Sequence, residues 1–165
     1  MPYVTVYQKP EFPPLLSLGW KKVTLDELRQ LCVTAFPRST RREGIMDCLE
    51  YVVSVLRDAG IRGKLWIDGS FLTDKDDPDD SDVILCMDGT FADNMTPEQQ
   101  SVESWFGDPA QHLHEWLMCH SFSIARWPEG HLNHEAGEWN YAYWLRQWGF
   151  TRSDIPKGIA VIELT

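Results

Sequence analysis

The stretch from residue 65 to residue 85, LWIDGSFLTDKDDPDDSDVIL, constrains the fold more than any other part of the chain. Two apolar runs of strand length flank a loop in which six of the nine positions 74–82 are aspartate. An apolar run bounded by glycine or by charged turn residues is typical of a buried strand. The stretch therefore predicts two strands joined by an acidic loop, with Gly69 and Ser70 at the end of the first strand.

Helix and strand signals alternate along the rest of the chain. Thr24 with Glu27, and Thr40 with Glu43, have the spacing of capping boxes, so a helix is expected to begin after each threonine. Further helices are predicted at 95–106, 108–118 and 137–150, a third central strand at 120–127, and a closing strand at 157–164. This order indicates an α/β fold, an α+β mixed sheet flanked by helices.

Length and composition limit the class of protein. The 165 residues are the length of one domain, so 1–165 is predicted to be a single domain, with an extended Pro-rich lead-in at 1–23 in which only 3–7 alternates like a strand. A hydrophobic content of 43% excludes a disordered chain. No apolar run approaches the roughly 20 residues that span a bilayer, and the first residues lack the pattern of a signal peptide. A cytoplasmic protein with reduced cysteines and no membrane contact is expected.

The formal net charge of −10 makes extended nucleic-acid binding unlikely for this chain, because phosphate contacts need clustered lysine and arginine. Basic residues nevertheless concentrate in the first quarter of the sequence. They are Lys21, Lys22, Arg29, Arg38, Arg41 and Arg42. One face of the molecule is therefore expected to be able to meet an anion.

Asp80 and Asp82 are the candidate metal ligands. Residues two apart on a strand point to the same face, so both carboxylates are expected to converge on one point. Two carboxylates suit Mg²⁺, which completes its shell with water and phosphate oxygens. Gly69 and Ser70 allow close approach of a phosphate and add a hydroxyl donor. A metal beside an anion-binding turn is what phosphoryl or nucleotidyl transfer requires.

The segments LWIDGSF and DDSDVIL resemble the signature of the polymerase-beta-type nucleotidyltransferase superfamily. Together with FPPLLSLGWKKVTLDEL and YWLRQWGFTRSDIPKGIAVIEL, they resemble a small bacterial nucleotidyltransferase-like family of unknown function over nearly the whole chain. The resemblance implies a nucleotidyltransferase-like fold, with Mg²⁺ or Mn²⁺ at Asp80 and Asp82. It also implies that Gly69 and Ser70 bind the phosphates of an NTP, and Lys75 is a further phosphate partner by its charge.

The sequence departs from that superfamily at the third carboxylate, which active members carry on a neighbouring strand. The strand at 119–126 offers His120 or Ser121 there, and a neutral histidine is a suitable base near pH 7. Glu115 is the nearest acid upstream, on the preceding helix. A different register would put Ile84 in place of the second acid, but the pair Asp80 and Asp82 keeps both acids on one face.

Two functions follow from these residues. The first is a metal-dependent nucleotidyltransferase that moves a nucleotide from an NTP to an unknown hydroxyl on a protein, a small molecule or an RNA end. The alternative is a catalytically weakened binding module with a protein partner, in a toxin–antitoxin or phage-defence pair. Two simpler interpretations stay open. In the first, the acidic loop is only a solvated hairpin. In the second, His112 and His114, two apart on a predicted helix, face different ways and hold no zinc.

Overall fold

Five strands form one mixed sheet in the computed structural model, which describes residues 9–165, so the strand predicted at 3–7 lies outside the described residues. The strands are β1 (Gly19–Lys22), β2 (Gly63–Asp68), β3 (Ser81–Asp88), β4 (Cys119–Arg126) and β5 (Gly158–Leu164). Their order across the sheet is β1-β5-β2-β3-β4. The predicted mixed sheet with flanking helices is confirmed. Residues 19–22, which were predicted to belong to the extended lead-in, form β1 and are therefore part of the sheet.

The strand pairings confirm one sequence expectation and correct another. β2 pairs antiparallel with β3, as expected for two strands joined by the acidic loop, and it also pairs antiparallel with β5. β1 runs parallel to β5, and β3 runs parallel to β4. The expectation that 120–127 would be a central strand is wrong: β4 is an edge strand. The closing strand β5 takes the inner position instead, and six of its seven residues are buried.

Helices connect these strands. They are α1 (Leu25–Arg29), α2 (Arg42–Asp58), α3 (Gly89–Asp93), α4 (Pro97–Gly107), α5 (Leu113–Leu117) and α6 (His134–Trp148). The capping box of Thr24 and Glu27 is confirmed. The box predicted at Thr40 and Glu43 is wrong, because α2 begins two residues after Thr40 and no side chain caps it. The helix predicted at 108–118 is divided at His112, whose φ of 53° is left-handed.

The sheet lies between two helical layers. On one face, α2 contributes its predicted stripe, including Ile45, Leu49 and Val52, to the larger buried cluster. On the other face, Trp148 of α6 packs in a second cluster with Trp66 and with residues of β3, β4 and β5. No helix within the described residues combines the length and apolar character needed to cross a membrane.

Candidate functional site

Three polar residues form a row across β2, β3 and β4 at one end of the sheet. Asp68 is the register partner of Asp82, and Asp82 is the register partner of His120. Because side chains alternate along strands, the row lies on the same face as Trp66 and Ile84 two residues further along, which is the face covered by α6. The sequence predicted two members of this row, Asp82 and His120, and missed Asp68.

Asp82 contacts both of its predicted neighbours. Gly69 has a φ of 81°, and a Cβ atom at this position would overlap the Oδ2 atom of Asp82. Glycine is therefore required at position 69 both by the backbone conformation and by the carboxylate packed against it. On the other side, Nδ1 of His120 lies 3.2 Å from Oδ1 of Asp82. This hydrogen bond with the carboxylate raises the pKa of His120.

Asp80 stands just before β3 and is half-buried. Burial raises the pKa of its carboxyl group, and the charge of Asp82 adds to the increase. A cation bound between the two carboxylates would relieve that repulsion, and carboxylate oxygens are the donors that Mg²⁺ and Mn²⁺ prefer. This donor set fits the predicted ion, with phosphate and water left to complete the shell.

Ser70 follows Gly69 directly and begins a 3₁₀ turn over Ser70–Leu72. Its carbonyl oxygen accepts a hydrogen bond from the Thr73 hydroxyl, which fixes this turn at the start of the acidic loop. The predicted turn after β2 is therefore present beside Asp82. Lys75 lies farther along the loop, where its Nζ atom is 3.4 Å from Oδ2 of Asp79. The structure thus brings Gly69 and Asp82 into contact, whereas Lys75 is paired within the loop.

Asp68 and Lys157 form a buried ion pair that the sequence did not reveal. Their side chains are only 6% and 12% exposed, and Nζ of Lys157 donates to Oδ2 of Asp68. Burial nevertheless raises the pKa of Asp68 to about 6, against the lowering effect of the lysine. One signal was present: Asp68 directly follows three apolar strand residues and comes two residues after Trp66, so it had to face the same covered side.

Arg42 holds the acidic loop in place. Its side chain is fully buried, and its guanidinium group donates to five backbone carbonyl groups. They belong to Cys32, Phe71, Thr73, Lys75 and Asp76. The backbone of the loop is therefore held by hydrogen bonds from a buried side chain, while Asp74, Asp76, Asp77 and Asp79 are exposed to solvent.

Other basic residues of the first quarter also bond within the chain. Arg41 donates to the carbonyl oxygens of Pro78 and Asp79, at 3.0 Å each. The remaining ion pairs join Lys22 to Glu163, Arg29 to Asp47 and Glu50, and Arg38 to Asp76. The cluster that was expected to face an external anion thus mainly supports the acidic loop and neighbouring acids. Of these residues, Arg41 and Arg42 bond to the backbone of the loop, and Arg38 pairs with a loop aspartate at 3.9 Å.

His112, His114 and Glu115 lie close together, although the two histidines were expected to face different ways. Within residues 9–165, they are the one group of three histidine, cysteine or acidic side chains whose ligand atoms all lie within 4.8 Å of one another. The expectation assumed one continuous helix, whereas His112 is left-handed and precedes α5. Glu115 faces these histidines, at 3.4 Å from His112 and 3.8 Å from His114.

A cavity of about 1020 Å³ lies at the opposite end of the sheet. Aromatic and charged side chains line it, among them Trp20, Trp66, Arg126 and Tyr141. None of the six residues predicted as catalytic or nucleotide-binding is among its described lining residues. This cavity and the predicted site residues are therefore in different places.

Comparison with known proteins gives one match. The model of a family of unknown function, DUF6932, matches residues 10–163, and the chain belongs to this family. No curated protein matches the chain, and no solved structure matches it.

Proposed function

We propose that this member of the DUF6932 family is a metal-dependent nucleotidyltransferase with a fold of the polymerase-beta type. The observation that carries the proposal is the contact of the Asp82 carboxylate with Gly69 on one side and His120 on the other. A metal ligand, a turn open to phosphate and a base are thereby adjacent. Nucleotidyl transfer depends mostly on positioning and charge neutralisation, so these three groups are its minimum requirement.

Asp80 and Asp82 would hold Mg²⁺ or Mn²⁺. When bound, such an ion supplies charge neutralisation for the triphosphate and the developing negative charge. The chain's own part is to hold the two carboxylates together. Asp82 is fixed between Gly69 and His120, and Asp80 follows the loop segment whose carbonyl groups Arg41 and Arg42 bind.

Gly69 and Ser70 would bind the phosphates of the NTP. The absence of a side chain at Gly69 makes room for the Asp82 carboxylate, so an ion held by Asp82 would lie beside this turn, and the Ser70 hydroxyl would donate to a phosphate oxygen. Lys75 is half-buried and lies farther along the acidic loop. Its ion pair with Asp79 is exposed, so its ammonium group could leave Asp79 and bind a phosphate oxygen instead. These contacts would orient the α-phosphate toward the incoming hydroxyl.

His120 would act as the base in place of the third carboxylate. With Nδ1 directed at Asp82, the proton of the acceptor hydroxyl would go to Nε2. The imidazole must be neutral to accept that proton, and Asp82 raises its pKa above the ordinary value near 6.5. We therefore expect the transfer rate to rise with pH through the raised pKa of His120, and His120→Gln to remove this rise.

One observation favours the alternative, a binding module with a protein partner. Large apolar side chains are exposed on two helices, including Trp116 of α5 at 78% and Trp139 of α6 at 70%. Exposed tryptophans are enriched in protein interfaces. A partner of the toxin–antitoxin or phage-defence type would cover such residues, and the module would need neither metal nor NTP.

The test is incubation with each α-labelled NTP and Mg²⁺ or Mn²⁺, alone and with cell lysate, followed by a search for labelled product. The matched variants are Asp80→Asn/Asp82→Asn at the site and Asp74→Asn/Asp76→Asn in the same loop. Asp77 is unsuitable for the control because it accepts hydrogen bonds from Ser39 and Thr40. Label transfer by the parent and the control alone supports the proposal; no transfer under any condition, or equal transfer by all three proteins, contradicts it.

A further inference from the structure

The group formed by His112, His114 and Glu115 has the composition of a transition-metal site. Two histidines and one glutamate are the protein ligands of several catalytic zinc centres, which leave one position for water or substrate. Imidazole nitrogen suits Zn²⁺, Co²⁺ and Ni²⁺ better than Mg²⁺. The group therefore differs in kind from the carboxylates of Asp80 and Asp82.

Two of the three distances between the ligand atoms are close to those around such an ion, and the third is within 4.8 Å. With zinc–ligand distances of 2.0–2.2 Å, neighbouring ligand atoms in a tetrahedron lie about 3.4 Å apart. In the structure, Oε1 of Glu115 is 3.4 Å from Nδ1 of His112 and 3.8 Å from Nε2 of His114. All three side chains are about half exposed, so an ion can reach them and small rotations can complete the geometry.

The backbone places these side chains beside the candidate site. Left-handed residues, His112 and Met118, flank α5, and β4 begins directly after Met118. The ring of His114 packs edge-on against the ring of His120, with centroids 5.9 Å apart. Because His120 contacts Asp82, a continuous line of ligand-type side chains runs from α5 to the carboxylates.

We propose that His112, His114 and Glu115 bind a divalent transition-metal ion of the Zn²⁺ type, next to and separate from the carboxylate pair. The inference does not depend on the proposed nucleotidyl transfer. It predicts that an ion with a preference for nitrogen ligands binds here in the absence of nucleotide. One ligand position is left open toward solvent, because the chain supplies three.

The test is titration of the full chain, without an affinity tag, with Zn²⁺ by calorimetry and with Co²⁺ by visible absorption, which reports four-coordinate geometry. The variants are His112→Ala/His114→Ala at the site, His131→Ala as a histidine control, and Asp80→Asn/Asp82→Asn. His131 pairs with Asp93 away from α5. Circular dichroism checks the fold, and Glu115→Gln provides a second variant in which both histidines remain.

The parent and the histidine control are expected to bind Zn²⁺ at this group with equal affinity, and the carboxylate variant is expected to keep the site with a slightly lower affinity, because two nearby negative charges are lost. The double histidine variant is expected to bind more than about 100-fold more weakly, since loss of even an outer partner of a metal ligand costs 10–100-fold. Glu115→Gln is expected to weaken binding less and to alter the Co²⁺ spectrum. Unchanged binding by the double histidine variant, loss of binding in the carboxylate variant, or no binding by the parent below millimolar ion would overturn the proposal.

Discussion

The two ends of the sheet differ in the chemical character of their side chains. At the end that carries Asp68, Asp82 and His120, charged groups contact one another and the adjoining loop is fixed by buried Arg42. At the other end, aromatic side chains surround an open cavity of about 1020 Å³. The first arrangement brings carboxylates and an imidazole into contact, whereas the second offers volume and aromatic surface. The comparison teaches that this cavity and the residues proposed for nucleotidyl transfer lie at opposite ends of the same sheet.

The ion pairs at the two ends differ in the same way. Lys157 and Asp68 are almost fully buried, whereas Arg126 and Glu138 at the cavity are 42% and 39% exposed. Removal of one partner from a buried pair leaves an uncompensated charge, whereas an exposed pair contributes about 1 kcal/mol or less. We call the end with Asp68, Asp82 and His120 the charged end and the end with the cavity the cavity end. The loss of a single side chain should therefore lower the stability of the protein far more at the charged end than at the cavity end.

The largest expected effect comes from Arg42→Met. This change leaves several buried carbonyl groups without a donor, and each unsatisfied group costs about 1–3 kcal/mol, so we expect a loss of at least about 3 kcal/mol in unfolding free energy. Arg126→Met at the cavity end is the matched change and should cost about 1 kcal/mol. Urea denaturation of both variants measures the difference. Similar losses of unfolding free energy would mean that the two ends do not differ in how strongly stability depends on one side chain.

A smaller effect is expected from Gly69→Ala. The new Cβ combines a left-handed φ, which costs about 1–2 kcal/mol, with an overlap on the Asp82 carboxylate. Gly130→Ala near the cavity has a similar φ of 87° but no atom within 4 Å of the added Cβ, so it isolates the backbone cost. We expect Gly69→Ala to unfold at lower urea concentration than Gly130→Ala. Equal midpoints would show that Asp82 does not pack on Gly69.

Much of the structure at the end of the sheet with Asp68, Asp82 and His120 can be predicted from the sequence. The reason is that β2 and β3 follow one another in the chain and pair with each other. The apolar runs around the acidic loop predict β2 and β3, and the spacing of Asp82 fixes its face. Asp68 and Lys157 are 89 residues apart, and only the inner position of β5, which no pattern predicts, brings them together. The role of Arg42 was missed for a similar reason: its partners are backbone carbonyls, which have no residue type to recognise.

The smallest expected effect is a difference in pH dependence. The raised pKa of Asp68, about 6, means that the folded state takes up a proton between about pH 4 and 6, so this residue lowers stability as pH rises through that range. Glu138 at the cavity end has a pKa lowered by its hydrogen bond with Arg126, so it adds stability as pH rises toward its ordinary pKa of 4.5. Asp68→Asn should therefore make the slope of unfolding free energy against pH more positive, and Glu138→Gln should make it less positive.

Urea denaturation at intervals between about pH 3 and 7 measures both slopes, that of Glu138→Gln in the lower part of the range and that of Asp68→Asn between about pH 4 and 6. The change for Asp68→Asn is at most one proton, or about 1.4 kcal/mol per pH unit. The overall stability of this variant falls at every pH because Lys157 loses its partner, but the slope is independent of that offset. Slopes that change in the same direction in both variants would contradict the contrast between the two ends.

The most direct test of the carboxylate site is the dependence of unfolding free energy on Mg²⁺ or Mn²⁺. The parent should gain about 2.7 kcal/mol when the ion is at a hundred times its Kd, and Asp74→Asn/Asp76→Asn should gain the same amount. Asp80→Asn/Asp82→Asn should be no less stable than the parent without metal, because the repulsion is relieved, and should gain nothing from the ion. No gain by the parent up to millimolar ion, or the same gain in both double variants, would contradict a metal site at Asp80 and Asp82.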